Sequence, residues 1–177
     1  PELKTKTMTA HPKIDPVTGE WWSYGQYCHK EYRREMALTV FDKTGRLVRQ
    51  EELVMPYNGV CHDFVMTRDY AVFTVMPLTV DVARLKAGGD FYAWDPSVQP
   101  MYGVMPRTGT TKDIRWFEVP GAMIAHFMNA WNEGSTLYID GFAAPGNSFG
   151  FFNDVNGKPT PNAVADMRIE RQGNQRW

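Results

Sequence analysis

Short apolar runs, each closed by turn-forming residues, dominate this chain and restrict it to a fold assembled from β-hairpins. Glu35-Met36-Ala37-Leu38-Thr39-Val40-Phe41 leads into Asp42-Lys43-Thr44-Gly45 and then into residues 46–54. Two strand-like runs around a glycine-containing loop spell a hairpin. His62-Asp63-Phe64-Val65-Met66-Thr67, the pair Arg68-Asp69 and Tyr70-Ala71-Val72-Phe73-Thr74-Val75 give a second. Residues 123–131 and 136–142 flank Asn132-Glu133-Gly134-Ser135 as a third. Residues 114–119 are predicted as a short strand stopped by Pro120-Gly121, and residues 165–171 as a last strand.

One segment departs from this pattern. Val80-Asp81-Val82-Ala83-Arg84-Leu85-Lys86-Ala87, closed by Gly88-Gly89, carries helix formers and a glycine stop and is predicted as one short helix. Residues 145–161 are rich in Gly, Asn and Pro and are predicted as a long loop. The expectation is an all-β architecture of small antiparallel sheets with one short helix, in a single domain.

Composition removes several classes of function. With 43% hydrophobic and 14% aromatic residues the chain can bury a core, so it is not a disordered segment. A formal net charge of −1 offers no basic field for phosphates, so no nucleic-acid partner is expected. No stretch approaches the ~20 apolar residues that span a bilayer, so no transmembrane segment is expected. Cys28 and Cys61 form neither a CxxC pair nor a disulfide framework, which suits reduced thiols in a cytoplasmic protein. No phosphate-binding glycine loop and no GxSxG elbow is present, and no cofactor-binding motif is expected.

Four histidines remain as carriers of chemistry: His11, His29, His62 and His126. His126 lies inside the apolar run Met123-Ile124-Ala125-His126-Phe127-Met128, and His62 heads a strand. A ring buried in such a run needs a partner, because an unpaired buried polar group costs ~1–3 kcal/mol. For any one of them a hydrogen bond inside the core suffices. Intervals of about 50 and about 60 residues separate His11, His62 and His126, which suits one propeller blade plus a loop each. If blades bring these three rings to a shared axis, the neutral imidazoles suit Fe(II), Zn(II), Cu or Ni. His29, among charged residues in Tyr27-Cys28-His29-Lys30-Glu31, is expected at the surface. Phe64 and Phe127, beside two of the candidate ligands, could line a tunnel for a flat conjugated molecule.

Three segments taken together resemble the carotenoid cleavage oxygenase family. Ala10-His11-Pro12-Lys13-Ile14-Asp15-Pro16 is similar to the surroundings of one iron-binding histidine. Cys61-His62-Asp63-Phe64-Val65-Met66-Thr67-Arg68-Asp69-Tyr70 is similar to the next, and His126-Phe127-Met128-Asn129-Ala130-Trp131-Asn132-Glu133 to a third. The tone of the sequence is that of the bacterial lignostilbene-type branch. The resemblance implies a seven-bladed β-propeller, of which residues 1–177 are a partial domain of about three blades. It implies a non-haem Fe(II) held by four histidines, with His11, His62 and His126 as three of them, and no further catalytic residue is assigned. It also implies O2 and a hydrophobic aromatic or polyene alkene as partners, with cleavage of a carbon–carbon double bond into two carbonyl products.

The chain departs from the family beyond His126. No further histidine is present to serve as the fourth ligand, and Glu118 and Glu133 do not match the family's outer glutamates. The remainder of a longer parent chain is therefore expected as a partner, and the isolated 177 residues are expected to be inactive. Two other readings stay open on the residues alone: a three-histidine zinc hydrolase or lyase on a β scaffold, and a non-catalytic propeller-like binding module with structural histidines.

Overall fold

The computed structural model describes residues 2–28 and 33–161. The predicted strand at 165–171, His29 and part of the charged run around it lie outside the described residues. The chain opens with an antiparallel meander of four strands in sequence order: β1 (Lys13–Ile14), β2 (Trp21–Gln26), β3 (Glu35–Phe41) and β4 (Leu47–Val54). The turn between β3 and β4 is fixed by the Asp42 carboxylate, which accepts from the backbone N–H groups of Thr44 and Arg46, and by Gly45 at φ 83°. Glycine adopts this left-handed conformation without steric cost.

A second four-stranded antiparallel sheet follows, with β5 (Phe64–Met66) at one edge, then β6 (Tyr70–Val75), β9 (Met101–Pro106) and β10 (Arg115–Glu118). Between β6 and β9 the chain makes a side trip through β7 (Leu78–Thr79), helix α1 (Val82–Lys86) and β8 (Ala93–Trp94). The helix is the predicted one, capped by Asp81, whose side chain accepts from the Arg84 N–H. A third unit begins with the hairpin β11 (Met123–Glu133) and β12 (Thr136–Ala144). The described residues thus hold two four-stranded sheets and two two-stranded ones, β7–β8 and β11–β12.

Five of these strands, β1, β2, β7, β8 and β9, were not predicted. β9 is missing from the prediction because Gly103 sits in its middle and Pro106 at its end, both depleted in strands. Gly103 is required there: a Cβ would stand 2.7 Å from Ile114 Cδ1 and from the Trp116 ring. In β2, Gly25 plays the same part for the N-terminal segment, since its Cβ would lie 2.0 Å from the Thr7 carbonyl oxygen. The loop at 145–161 is better ordered than its composition suggests. Phe149 and Phe152 pack on the buried Met76, Leu78 and Met123, and the Trp94 N–H donates to the Asn153 carbonyl.

The sheets stack face to face. Trp22, Tyr24, Met36, Leu38 and Val40 of the first sheet meet Phe64, Phe73, Val75 and Met105 of the second. Val65, Val72 and Tyr102, on the opposite face of the second sheet, meet Ile124, Leu137 and Ile139 of the hairpin. Successive strand residues point to opposite faces, so Phe64 and Val65, or Val72 and Phe73, serve different cores. That explains why β6 is apolar throughout rather than alternating. Phe64 and Phe73 stack across the strand pair with ring centroids 5.5 Å apart.

Candidate metal centre

Each histidine singled out within the described residues sits at the inner edge of its sheet. His11 lies two residues before β1, in a segment held extended by Pro12. His62 lies two residues before β5, slightly ahead of the strand that it was expected to begin. His126 lies within β11, where the pairing slips between Ile124 and Phe127. A bulge of this kind bends the strand and re-aims a side chain. Gly141 on the facing strand makes room for it, since a Cβ there would lie 2.9 Å from Ile124 Cγ2 and 3.3 Å from the His126 carbonyl oxygen.

The three rings converge. His11 Nε2 and His62 Nε2 are 3.1 Å apart, and His62 Nε2 and His126 Nε2 are 3.0 Å apart. All three pairs of ring centroids are separated by 4.8 Å, with the planes steeply inclined to one another. Hydrogen bonding satisfies this triangle poorly. The His62 Nε2 faces two other nitrogens, and one nitrogen is either an N–H donor or a lone-pair acceptor. A cation at the centre engages all three lone pairs at once. Burial lowers the His62 pKa, and the adjacent His11 and His126 lower it further, which favours the neutral ring that a metal requires.

Separations of 3.0 and 3.1 Å are short enough for the rings to share one ion.

The segments behind the rings are tied to one another. Thr9 Oγ1 accepts from the His11 N–H and donates to the His62 carbonyl, and the buried Tyr24 hydroxyl donates to the Cys61 carbonyl at 2.8 Å. Asp63, 2% exposed, makes an ion pair with Lys13 at 2.7 Å and accepts from the Phe127 N–H at 3.0 Å. Asp63 was not among the residues expected to serve the site. Its signal was present in the sequence, since a carboxylate heading a buried apolar strand demands partners. Cys61 lies outside the cluster, and burial pushes its thiol pKa up to about 12.

Two cavities adjoin the centre. The larger, about 1230 Å³, has a mixed lining that includes Trp22, Val65, Met66 and Phe127 beside the Asp15–Arg107 ion pair. It contains none of the three histidines. The smaller, about 440 Å³, is bordered by His62 and by Met8, Tyr27, Tyr92, Phe149 and Phe152. The smaller one suits a substrate better, because it bears an imidazole among apolar walls. Phe64 lines neither cavity, whereas Phe127 borders the larger one. Phe64 is fully buried between the first two sheets, and Phe127 packs toward Tyr102 and borders the larger cavity. Strand alternation turns the Phe64 ring into the core.

Among the described residues, no helix is long and apolar enough to cross a membrane. Residues 2–176 match the RPE65 family model, described as retinal pigment epithelial membrane protein. The chain is 38% identical over 155 residues to isoeugenol monooxygenase of Pseudomonas putida, covering 88% of this chain and 32% of the relative. It is 37% identical over 173 residues to lignostilbene-alpha,beta-dioxygenase isozyme III of Sphingomonas paucimobilis, covering 96% of this chain and 35% of that enzyme. The chain thus spans about a third of the length of these relatives. Its structure superimposes on the lignostilbene dioxygenase of Pseudomonas brassicacearum with a TM-score of 0.83 and 34% identity, covering 91% of this chain and 34% of that one. That enzyme is a β-propeller, so the stacked sheets are part of a propeller.

Proposed function

Since the chain belongs to the RPE65 family of carotenoid cleavage oxygenases, we propose that it supplies the three-histidine face of a non-haem iron(II) centre in an alkene-cleaving dioxygenase. His11, His62 and His126 are the ligands, and the rest of a longer chain supplies the fourth and completes the propeller. The observation that carries this reading is the triangle of Nε2 atoms at 3.0 and 3.1 Å. The poor hydrogen bonding of the triangle speaks against purely structural histidines.

Iron(II) bound there supplies the activation of O2. The reaction breaks the carbon–carbon double bond and places one oxygen atom on each carbon, giving two carbonyl products and consuming one O2. The residues of this chain do the remaining work. Neutral imidazoles leave the ion its full charge. Met8, Phe149 and Phe152, with the rings of Tyr27 and Tyr92, form an apolar slot that holds a flat conjugated alkene beside His62 and keeps water away. Orientation of this kind supplies much of a rate enhancement. The names of the relatives, which point to isoeugenol and lignostilbene, favour an aryl alkene as substrate, with an apocarotenoid as the longer alternative. The buried Cys61 thiol suits the reducing cytoplasm as the site of action.

Metal analysis and product analysis test the proposal. The full-length protein is expected to hold one iron per chain and to convert a hydroxystilbene into two aldehydes, each carrying label from 18O2. His126→Ala is expected to abolish both iron retention and cleavage. Tight zinc binding without oxygen uptake refutes the proposal, as does full activity in the His126 variant.

A further inference from the structure

We propose that Asp63 is the positioning residue of the centre: its buried carboxylate fixes the mutual placement of the three imidazoles by joining the segments that carry them. The inference rests on the metal-centre reading above.

Asp63 follows His62 directly, and each of its oxygens has a distinct task. Oδ1 accepts from the Phe64 N–H at 2.8 Å and pairs with the Lys13 ammonium at 2.7 Å. Lys13 stands two residues after His11, in β1. Oδ2 accepts from the Phe127 N–H at 3.0 Å, and Phe127 is the residue after His126. One carboxylate therefore touches its own ligand segment, the segment of His11 in the preceding sheet and the segment of His126 in the following hairpin. Its main-chain carbonyl is held in turn by the Thr74 hydroxyl at 3.3 Å.

A carboxylate that only caps the start of β5 would need the Phe64 contact alone. The other two contacts cross from one sheet to the next, where no β-ladder exists to set the spacing. The Phe127 contact also lies at the slipped pairing of β11, where the ladder to β12 is interrupted. A bulge leaves backbone groups without ladder partners, and such a group when buried must find another acceptor. Asp63 is that acceptor, so the bulge that re-aims His126 is locked from the sheet that carries His62. With 3% of its side chain exposed, the carboxylate is shielded from water that would compete for these bonds. Partners behind metal ligands typically change affinity by roughly 10–100-fold when removed.

The test uses cobalt(II) as probe in the full-length protein, because its d–d absorption reports ligand arrangement. Asp63→Asn keeps the volume but removes the charge and one acceptor. It is expected to weaken cobalt binding by roughly 10-fold or more and to change the d–d spectrum. Lys13→Met removes one contact only and is expected to produce a smaller change of the same kind. Val72→Ala opens a cavity in the same sheet without touching the carboxylate, and is expected to lower thermal stability with the wild-type spectrum intact. If Asp63→Asn fails to fold, Asp63→Asn combined with Lys13→Met leaves no unpaired ammonium and carries the same expectation. Wild-type cobalt affinity and spectrum in the folded Asp63 variants, or in Lys13→Met, overturn the proposal. So does a Val72→Ala spectrum that matches that of Asp63→Asn. Failure of the wild-type protein to bind cobalt or iron refutes the metal centre itself, and this inference with it.

Discussion

The sheet that carries His62 and the hairpin that carries His126 bring the same residue to the same point under different constraints. The sheet is covered on both faces: Ala71, Val72 and Phe73 have no exposed surface. The hairpin is covered on one. Its inner residues Ile124 and Ile139 pack on the sheet, while Met128 and Phe142 are 68% and 80% exposed on the other side. His62 precedes the packed strand and is half-buried, whereas His126 lies in the one-sided hairpin and is exposed. The hairpin is tied to the second sheet's chain by two bonds: the Phe127 N–H to Asp63, and Asn132 to Asp69 at its far end.

The largest expected effect is in the two-faced sheet. Phe73→Ala removes a ring stacked on Phe64 and in contact with the first sheet. It is expected to cost ~3–5 kcal/mol of unfolding free energy, measured by denaturant titration of the full-length protein. A cost below ~1 kcal/mol would mean that the interface between the first two sheets is not a packed core. An intermediate effect is expected at the bulge. Gly141→Ala presses a methyl group against Ile124 and the His126 carbonyl, for ~1–3 kcal/mol of overpacking. Because the strain falls on the His126 backbone, iron content should drop along with stability. Loss of stability with iron content unchanged would show that the ring is aimed independently of the bulge. The smallest effect is expected at Phe142→Ala when residues 1–177 are studied alone, within about 0.5 kcal/mol, as for most exposed positions. The same substitution in a complete propeller should cost distinctly more, because the next blade would cover that face. Equal small costs in both settings would remove the case for a neighbour on that side.

Much of this arrangement was legible in the residues. The β3–β4 and β5–β6 hairpins announce themselves through strand-forming runs and turns such as Asp42-Lys43-Thr44-Gly45. The helix at Val82–Lys86 does so through Asp81 and Gly88. β9 was not legible, because Gly103 and Pro106 are strand-poor locally, and only the Trp116 and Ile114 side chains lying over Gly103 explain the choice. The convergence of His11, His62 and His126 could be suspected from comparable intervals and from family resemblance. Their inward aim belongs to tertiary structure. The partners of Asp63 were hidden for the same reason, since Lys13 and Phe127 lie in other sheets. Phe64 shows the converse error, where closeness in sequence to a candidate ligand suggested a tunnel wall and strand alternation turned the ring into the core.

The excursion between β6 and β9 leaves the meander of the second sheet intact, yet it carries Tyr92 into the small pocket, and the loop after β12 carries Phe149 and Phe152 there. The pocket walls therefore come partly from the histidine-bearing segments, through Met8 and His62, and partly from separate pieces of chain, through Tyr92, Phe149 and Phe152. On the proposed function, reshaping residues 77–95 would change the pocket wall around Tyr92 while the imidazole cluster is left untouched, so the guest could be exchanged by refitting a peripheral segment.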